Sequence, residues 1–145
     1  MRLSTAFFSF ISFFGLPLFY LPAIAALWLF DWRMAIRLAY SLVTIEIVGA
    51  LIKFFYAKER PEAMPRRNIL ERIDASSFPS IHAGRVCSVA FFSYKFHPGI
   101  PMAATGILFV AAVAWSRLAL KKHYPIDVLG GIVLGLASSW IVSFT

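Results

Sequence analysis

The chain has one cysteine, Cys87. It closes no internal disulfide and offers no paired thiolates to a metal. Within its apolar run Cys87 reads as a small packing residue. Charge is also scarce: 14% of residues are charged, whereas soluble domains carry about a quarter. Acid is scarcest, with 7 Asp and Glu against 14 Lys and Arg, a net charge of +7. No strand periodicity, internal repeat or low-complexity tract runs through the sequence, which excludes β and repeat architectures. What remains is apolar: 60% of residues are hydrophobic and 17% aromatic over 145 residues, a one-domain length (1–145). Excess base can mean nucleic acid, anionic lipid or a phosphorylated substrate. Nucleic acid is excluded as partner, because the basic residues sit in short polar stretches between apolar segments rather than along one soluble face.

A membrane helix needs roughly 20 mostly apolar residues. The first candidate runs from about Thr5 to Phe30 without a charge. A cleaved signal peptide is the rival reading, but the stretch is too long and its basic lead is Arg2 alone. Pro17 and Pro22 either kink this span or divide it into two short helices. Further spans are expected near 34–56, 81–96, 100–120 and 126–144. His97-Pro98-Gly99 ends the third. Gly130, Gly131, Gly135, Ala137 and Ser138 give the last one small residues for close helix contact. The expected fold is an all-α, polytopic bundle of five membrane helices, or six if the first span divides. Trp32 and Trp140 mark interfaces. Alternation of the spans brings Lys53, His82, Arg117 and Asp127 to the same membrane face. The polar stretch 57–80 roofs that face, with a short amphipathic helix near 68–73.

Three segments carry the chemistry. The first runs from Lys53 through Lys58 and Glu59 to Arg60-Pro61. The second is Pro79-Ser80-Ile81-His82. The third is Ser116-Arg117, His123 and Asp127. They supply cations, two imidazoles and one carboxylate, and no Asp, Glu or Cys cluster suited to a metal. Phosphoryl transfer asks a protein for a nucleophile and for charge around the transferring oxygens. Lys53, Arg60 and Arg117 fit the second need. His123 can take the phosphoryl group on a ring nitrogen if it is neutral and its other nitrogen has a fixed partner. Asp127, one helical turn on and beside Pro125 at a helix start, is expected to be that partner. His82 is placed to protonate the leaving oxygen and later activate water. Ser80 is a possible N-cap, and the N–H groups behind it would face the phosphate.

These residues resemble the three signatures of the type 2 phosphatidic acid phosphatase family, which includes lipid phosphate phosphatases and is related to vanadium haloperoxidases. The signatures read K-x6-R-P, P-S-G-H and S-R-x5-H-x3-D, and all three stand here in order between Lys53 and Asp127. Each alone is weak, and the ordered set is specific. The resemblance implies a phosphatase that needs no metal or cofactor and acts on a lipid phosphomonoester or diphosphate in the bilayer. It implies phosphate binding by Lys53, Arg60, Ser80, Ile81 and Arg117, with catalysis by His123, His82 and Asp127. One position departs from the pattern: Ile81 replaces the usual glycine. It keeps the backbone N–H but adds bulk, which is expected to narrow the site or alter the headgroup accepted.

Taken singly, Lys53 and Arg60 read as interfacial flanks, and Arg117, His123 and Asp127 as an ion network. The set together reads as a phosphate site. Glu46 lies inside the second span, on the face of Lys53. It is either functional or protonated and bonded to a neighbouring helix. Arg85 shares the face of His82, and either leans toward the site or pairs with an acid such as Glu46. Lys121 and Lys122 read as a solvated flank, and His97 as a turn residue without a role. Prenyl diphosphate is slightly favoured as substrate, with phosphatidylglycerophosphate or phosphatidate close behind. Alternatives are a lipid phosphotransferase and a non-catalytic lipid-phosphate binding or transport protein. Lysine and arginine counts put the site in the cytoplasm, and the resemblance puts it on the outer face of the cell membrane, which is the reading preferred. The sequence carries no signal for an oligomeric state.

Overall fold

The computed structural model describes residues 2–145, with side chains from Ser4 onward. Among the described residues its regular structure is all helical, with no strand. The order is α1 (Arg2–Phe13), α2 (Pro17–Phe30), α3 (Trp32–Phe55), α4 (Ile69–Ala75), α5 (Ile81–Phe96), α6 (Ile100–Ala119) and α7 (Pro125–Val142).

The first apolar segment is divided. Pro17 opens α2, where its missing N–H costs nothing, and the pair Ser4–Phe13 and Pro17–Phe30 bends by 43°. Pro22 lies inside α2 without ending it. Asp31 then starts α3 as its N-cap, accepting from the Met34 N–H at 3.0 Å. Helices α3, α6 and α7 are long and apolar enough to cross a membrane, and the bent pair adds a fourth candidate. The expected third span is α5, of 16 residues. At about 24 Å it falls short of the roughly 30 Å hydrocarbon core. It is the buried centre of the bundle, with Ala83, Gly84, Arg85, Val86, Cys87, Ser88 and Phe92 all enclosed.

Glycine brings α7 onto α5. A Cβ on Gly131 would lie 2.1 Å from the Ser80 carbonyl oxygen, and one on Gly135 would lie 2.4 Å from that of Gly84. Both belong to the small-residue set expected from the sequence; Gly130 instead faces the Phe78 ring. Three serines join the helices at mid-bundle. Ser88 Oγ lies 2.9 Å from Ser41 Oγ, which lies 3.1 Å from Ser139 Oγ. Tyr20, Leu38, Leu42, Val86, Phe92 and Val113 fill the apolar core. The outward faces are apolar as lipid requires, with Leu29, Phe30 and Ile100 more than four-fifths exposed. The polar stretch holds α4 where a short helix was expected. Asn68 caps it through the Glu71 N–H at 2.8 Å, and Glu71 accepts from the Arg67 N–H at 2.8 Å.

Candidate active site

The end of α3, the start of α5, the end of α6 and the start of α7 meet on one side of the bundle, the side expected from the sequence. The segment Ser76–Ser80, buried except for a half-buried Phe78, runs through their junction. Ser76 Oγ donates to the Arg72 carbonyl at 2.7 Å and to that of Lys53 at 3.1 Å. Ser77 N–H donates to the Lys58 carbonyl at 2.9 Å, and its Oγ donates to the Glu59 carbonyl at 3.0 Å. Ser80 N–H donates to the Asp127 carbonyl at 2.8 Å. The first signature segment, the P-S-I-H segment and the third signature segment are thereby laced together by main-chain and hydroxyl bonds.

His123 sits in the connection between α6 and α7 and is 4% exposed. Its Nδ1 lies 2.7 Å from the Ser77 carbonyl oxygen. A carbonyl only accepts, so Nδ1 carries the proton and Nε2 keeps its lone pair in the neutral ring. Burial, and then the positive charges of Arg117, Lys53 and Arg60, push the imidazole down to about 2, while the Ser77 carbonyl acts in the opposite direction. The same charges that would hold an anion therefore keep this ring neutral.

Asp127 does not meet the expectation that it orients His123. Its Oδ1 pairs with Lys58 Nζ at 2.5 Å, and its Oδ2 accepts from the Tyr124 N–H at 2.8 Å. The reason lies in the helix start. Tyr124 is the N-cap residue and Asp127 stands at the third helical position, where a carboxylate folds back onto the cap. Fully buried, Asp127 fixes the turn that carries His123 rather than the ring itself.

The expected phosphate-binding residues are gathered here. Lys53 Nζ donates to the Ser76 carbonyl at 2.8 Å. Arg60 Nη2 donates to the Asp74 carbonyl, with the Asp74 carboxylate 3.8 Å away. Arg117 Nη1 donates to Ser12 Oγ on α1. Among the described residues, the buried side-chain polar atoms without a hydrogen-bond partner are Arg60 Nε, Ser80 Oγ and Arg117 Nε. All three belong to that expected set. Ser80 occupies the N-cap position of α5 but makes no side-chain cap bond, so its hydroxyl is left over. The N–H groups of Ile81, His82 and Ala83, in the first turn of α5, have no carbonyl a turn earlier in the helix. The site thus combines two guanidinium groups, an ammonium, a hydroxyl and a helix N-terminus, which is the chemistry of an oxyanion cradle.

Ile81 directs its side chain toward α3. Its Cγ1 and Cδ1 lie 3.0 and 3.1 Å from where a Cβ on Gly49 would stand, so the side chain fills the space that glycine leaves on α3. Several participants were given no role in the sequence reading: Lys58, Ser12, Ser76 and Ser77. Lys58 had a signal in its place within the first signature. Ser77 acts through its backbone, which no residue type announces. Glu46 and Arg85 pair with each other, and Lys122 pairs with Glu62 at 3.1 Å on the surface.

The sequence profile of the PAP2 superfamily matches residues 34–144. The bacitracin transport permease protein BcrC of Bacillus licheniformis is 32% identical over 117 residues, 77% of this chain and 55% of that protein. An undecaprenyl-diphosphatase of Sulfolobus acidocaldarius is 30% identical over 136 residues, 91% of this chain and 64% of that protein. The chain thus spans between about half and two thirds of the length of these relatives. The crystal structure of Aquifex aeolicus LpxE superposes with a TM-score of 0.82 at 19% identity, covering 100% of this chain and 88% of that one. The match to the family profile runs from the third residue of α3 to the end of α7 and takes in all three signature segments, and the chain belongs to the PAP2 superfamily.

Proposed function

We propose that this protein is a metal-independent phosphatase acting on a membrane lipid phosphate or diphosphate, with His123 as nucleophile. The observation that carries the reading is the identity of the unpaired buried atoms, Arg60 Nε, Ser80 Oγ and Arg117 Nε, beside a histidine whose Nε2 is left free. Burying unpaired donors costs stability unless a ligand supplies the partner, and a phosphoryl group presents oxygens to all three.

In the first step His123 Nε2 attacks phosphorus and the P–O bond to the lipid breaks. The electron pair leaves with the lipid oxygen, which takes its proton from His82. Burial and the charges of Arg117 and Arg85 favour the neutral ring, and the substrate's phosphate anion offsets them so that His82 enters the step as an imidazolium. Lys53, Arg60, Arg117, Ser80 and the first N–H groups of α5 hold the three phosphoryl oxygens as charge develops on them. In the second step neutral His82 takes a proton from water, the water oxygen bonds to phosphorus, and the P–N bond breaks to free phosphate and restore His123. The Ser77 carbonyl steadies the ring as it becomes cationic, and the Asp127–Lys58 pair holds its turn.

Among substrates, a prenyl diphosphate is favoured: a relative covering 91% of this chain bears the name undecaprenyl-diphosphatase. Phosphatidylglycerophosphate and phosphatidate present a similar terminal phosphate. The site is read as opening at the outer face of the cell membrane. In that reading Lys53, Arg60 and Arg117 are basic for phosphate, and Lys58 and Lys122 for their carboxylate partners, rather than for orientation. The test is phosphate release from these three lipids by purified protein in detergent with excess chelator. Release is expected to survive chelator and to fall about a thousandfold or more in His123→Ala. Release abolished by chelator would refute metal independence, and release undiminished by His123→Ala would refute the nucleophile. Product appearing only with an added lipid alcohol would identify a phosphotransferase instead.

A further inference from the structure

The ion pair between α3 and α5 has no part in the reaction just described, yet it is built with care. Arg85 stands three residues after His82 on α5, and its side chain is 8% exposed. Its Nε donates to Glu46 Oε1 on α3, and its Nη1 donates to the Gly15 carbonyl at 2.7 Å. Gly15 lies in the break between α1 and α2. One guanidinium thus ties α3, α5 and that break together. The pair borders a groove of about 250 Å³ between α2 and α3, otherwise lined by apolar residues such as Leu21, Ile24 and Val43. A charged pair facing lipid is costly to keep there unless it serves a purpose.

The purpose follows from what Gly15 touches. A Cβ on Gly15 would lie 2.4 Å from Cδ2 of His82 and 2.8 Å from its Cβ and Cγ. The glycine is required for space, since a side chain there would run into the imidazole. The break is held on its other sides as well: Tyr20 Oη donates to the Phe14 carbonyl, and Ser12 Oγ accepts from Arg117. Residues 12–15 therefore meet Arg117 through Ser12 and His82 through Gly15, and Arg85 fastens them to the helix that carries His82.

We infer that Arg85 and Glu46 are positioning residues for His82, holding Gly15 against its ring so that the imidazole aims its proton at the leaving lipid oxygen. Glu46 neutralises Arg85 and fixes the plane of its guanidinium, leaving Nη1 directed at the Gly15 carbonyl. The inference rests on the reading of His82 as the general acid of the proposed phosphatase.

That dependence shapes the experiment. A poor leaving group, the alkoxide of a lipid alcohol, needs a proton as the P–O bond breaks, whereas a nitrophenolate does not. Pre-steady-state release of the leaving group is measured for a lipid phosphate and for p-nitrophenyl phosphate. Gly15→Ala, Glu46→Ala and Arg85→Lys are compared with His82→Ala. Each of the three is expected to slow release of the lipid alcohol by about tenfold to a hundredfold, with KM little changed, and to leave nitrophenol release nearly intact. Glu46→Gln keeps an oxygen for Arg85 and is expected to recover most of the rate. His82→Ala should show the same selectivity more strongly. Equal losses on both substrates in Gly15→Ala, Glu46→Ala and Arg85→Lys, with His82→Ala still selective, would mean a merely structural tie and overturn the inference alone. Undiminished rates on both substrates in these three variants would overturn it as well. Equal losses in His82→Ala would overturn the general-acid reading, and the inference with it.

Discussion

A histidine that attacks phosphorus must keep one ring nitrogen bare, and at position 123 the backbone arranges this. The Ser77 carbonyl claims Nδ1–H, burial and the surrounding cations oppose a second proton, and Nε2 stays free. The ring is therefore expected to remain neutral at about pH 5, where an ordinary imidazole is mostly charged. The sign for stability follows. The folded protein holds this histidine well below its unfolded value, so the unfolded chain binds the extra proton first. Stability is unaffected by His123 above about pH 6.5 and falls as pH drops below that, by up to about 1.4 kcal/mol per unit. Ring-nitrogen NMR of histidine-labelled protein checks the first point: an Nδ1–H neutral tautomer for His123 at about pH 5 is predicted, and an imidazolium signal there would contradict it. Residue identity at fixed spacing announced Lys53, Arg60, Ser80, His82, Arg117, His123 and Asp127. The same spacing misled about Asp127, because a carboxylate at the third position of a helix can either reach a neighbouring ring or fold back to cap its own helix. Only the path of the chain through Tyr124 and Lys58 decides between them. Where the Ile81 side chain lodges was not legible, since the space that receives it belongs to Gly49 on another helix.

Among the elements, α5 and α7 matter most, because their close approach sets the Ser80–Asp127 main-chain bond. A methyl group on Gly131 meets backbone rather than a side chain that could swing aside. Gly131→Ala is therefore expected to destabilise the protein by about 1–3 kcal/mol and to lose activity beyond its loss of folded protein. A thermal unfolding scan in detergent, run beside the phosphate assay, measures both. An unchanged midpoint with full activity would show that the helices are free to part. The helices themselves were legible, because long uncharged runs between polar stretches leave few alternatives. Pro17 and Pro22 offered two places for the first run to divide, and the structure uses Pro17. The depth of α5 within the bundle was not legible: 16 residues can make a short span or a buried core helix, and the contacts of α3, α6 and α7 decide.

For the whole molecule, the apolar surface and the clustered base express one arrangement. Lipid surrounds the outward faces, and four helix ends draw the cations of distant segments to one side. Neither the constellation nor its neutral histidine exists until α3, α5, α6 and α7 have all docked, and the loop from 57 to 80 must thread between them. The same-side placement of Lys53, His82, Arg117 and Asp127 could be read from alternation alone. Their lacing through Ser76, Ser77 and Ser80 required the folded chain. The central claim is that this assembly moves a phosphoryl group onto His123. The most direct test is to quench the protein during turnover of a radiolabelled lipid phosphate or diphosphate in the presence of chelator. The account predicts label bound to protein that is stable to base, labile to acid, located on His123 and absent from His123→Ala. Turnover with no labelled protein at any quench time, or label retained in His123→Ala, would contradict it.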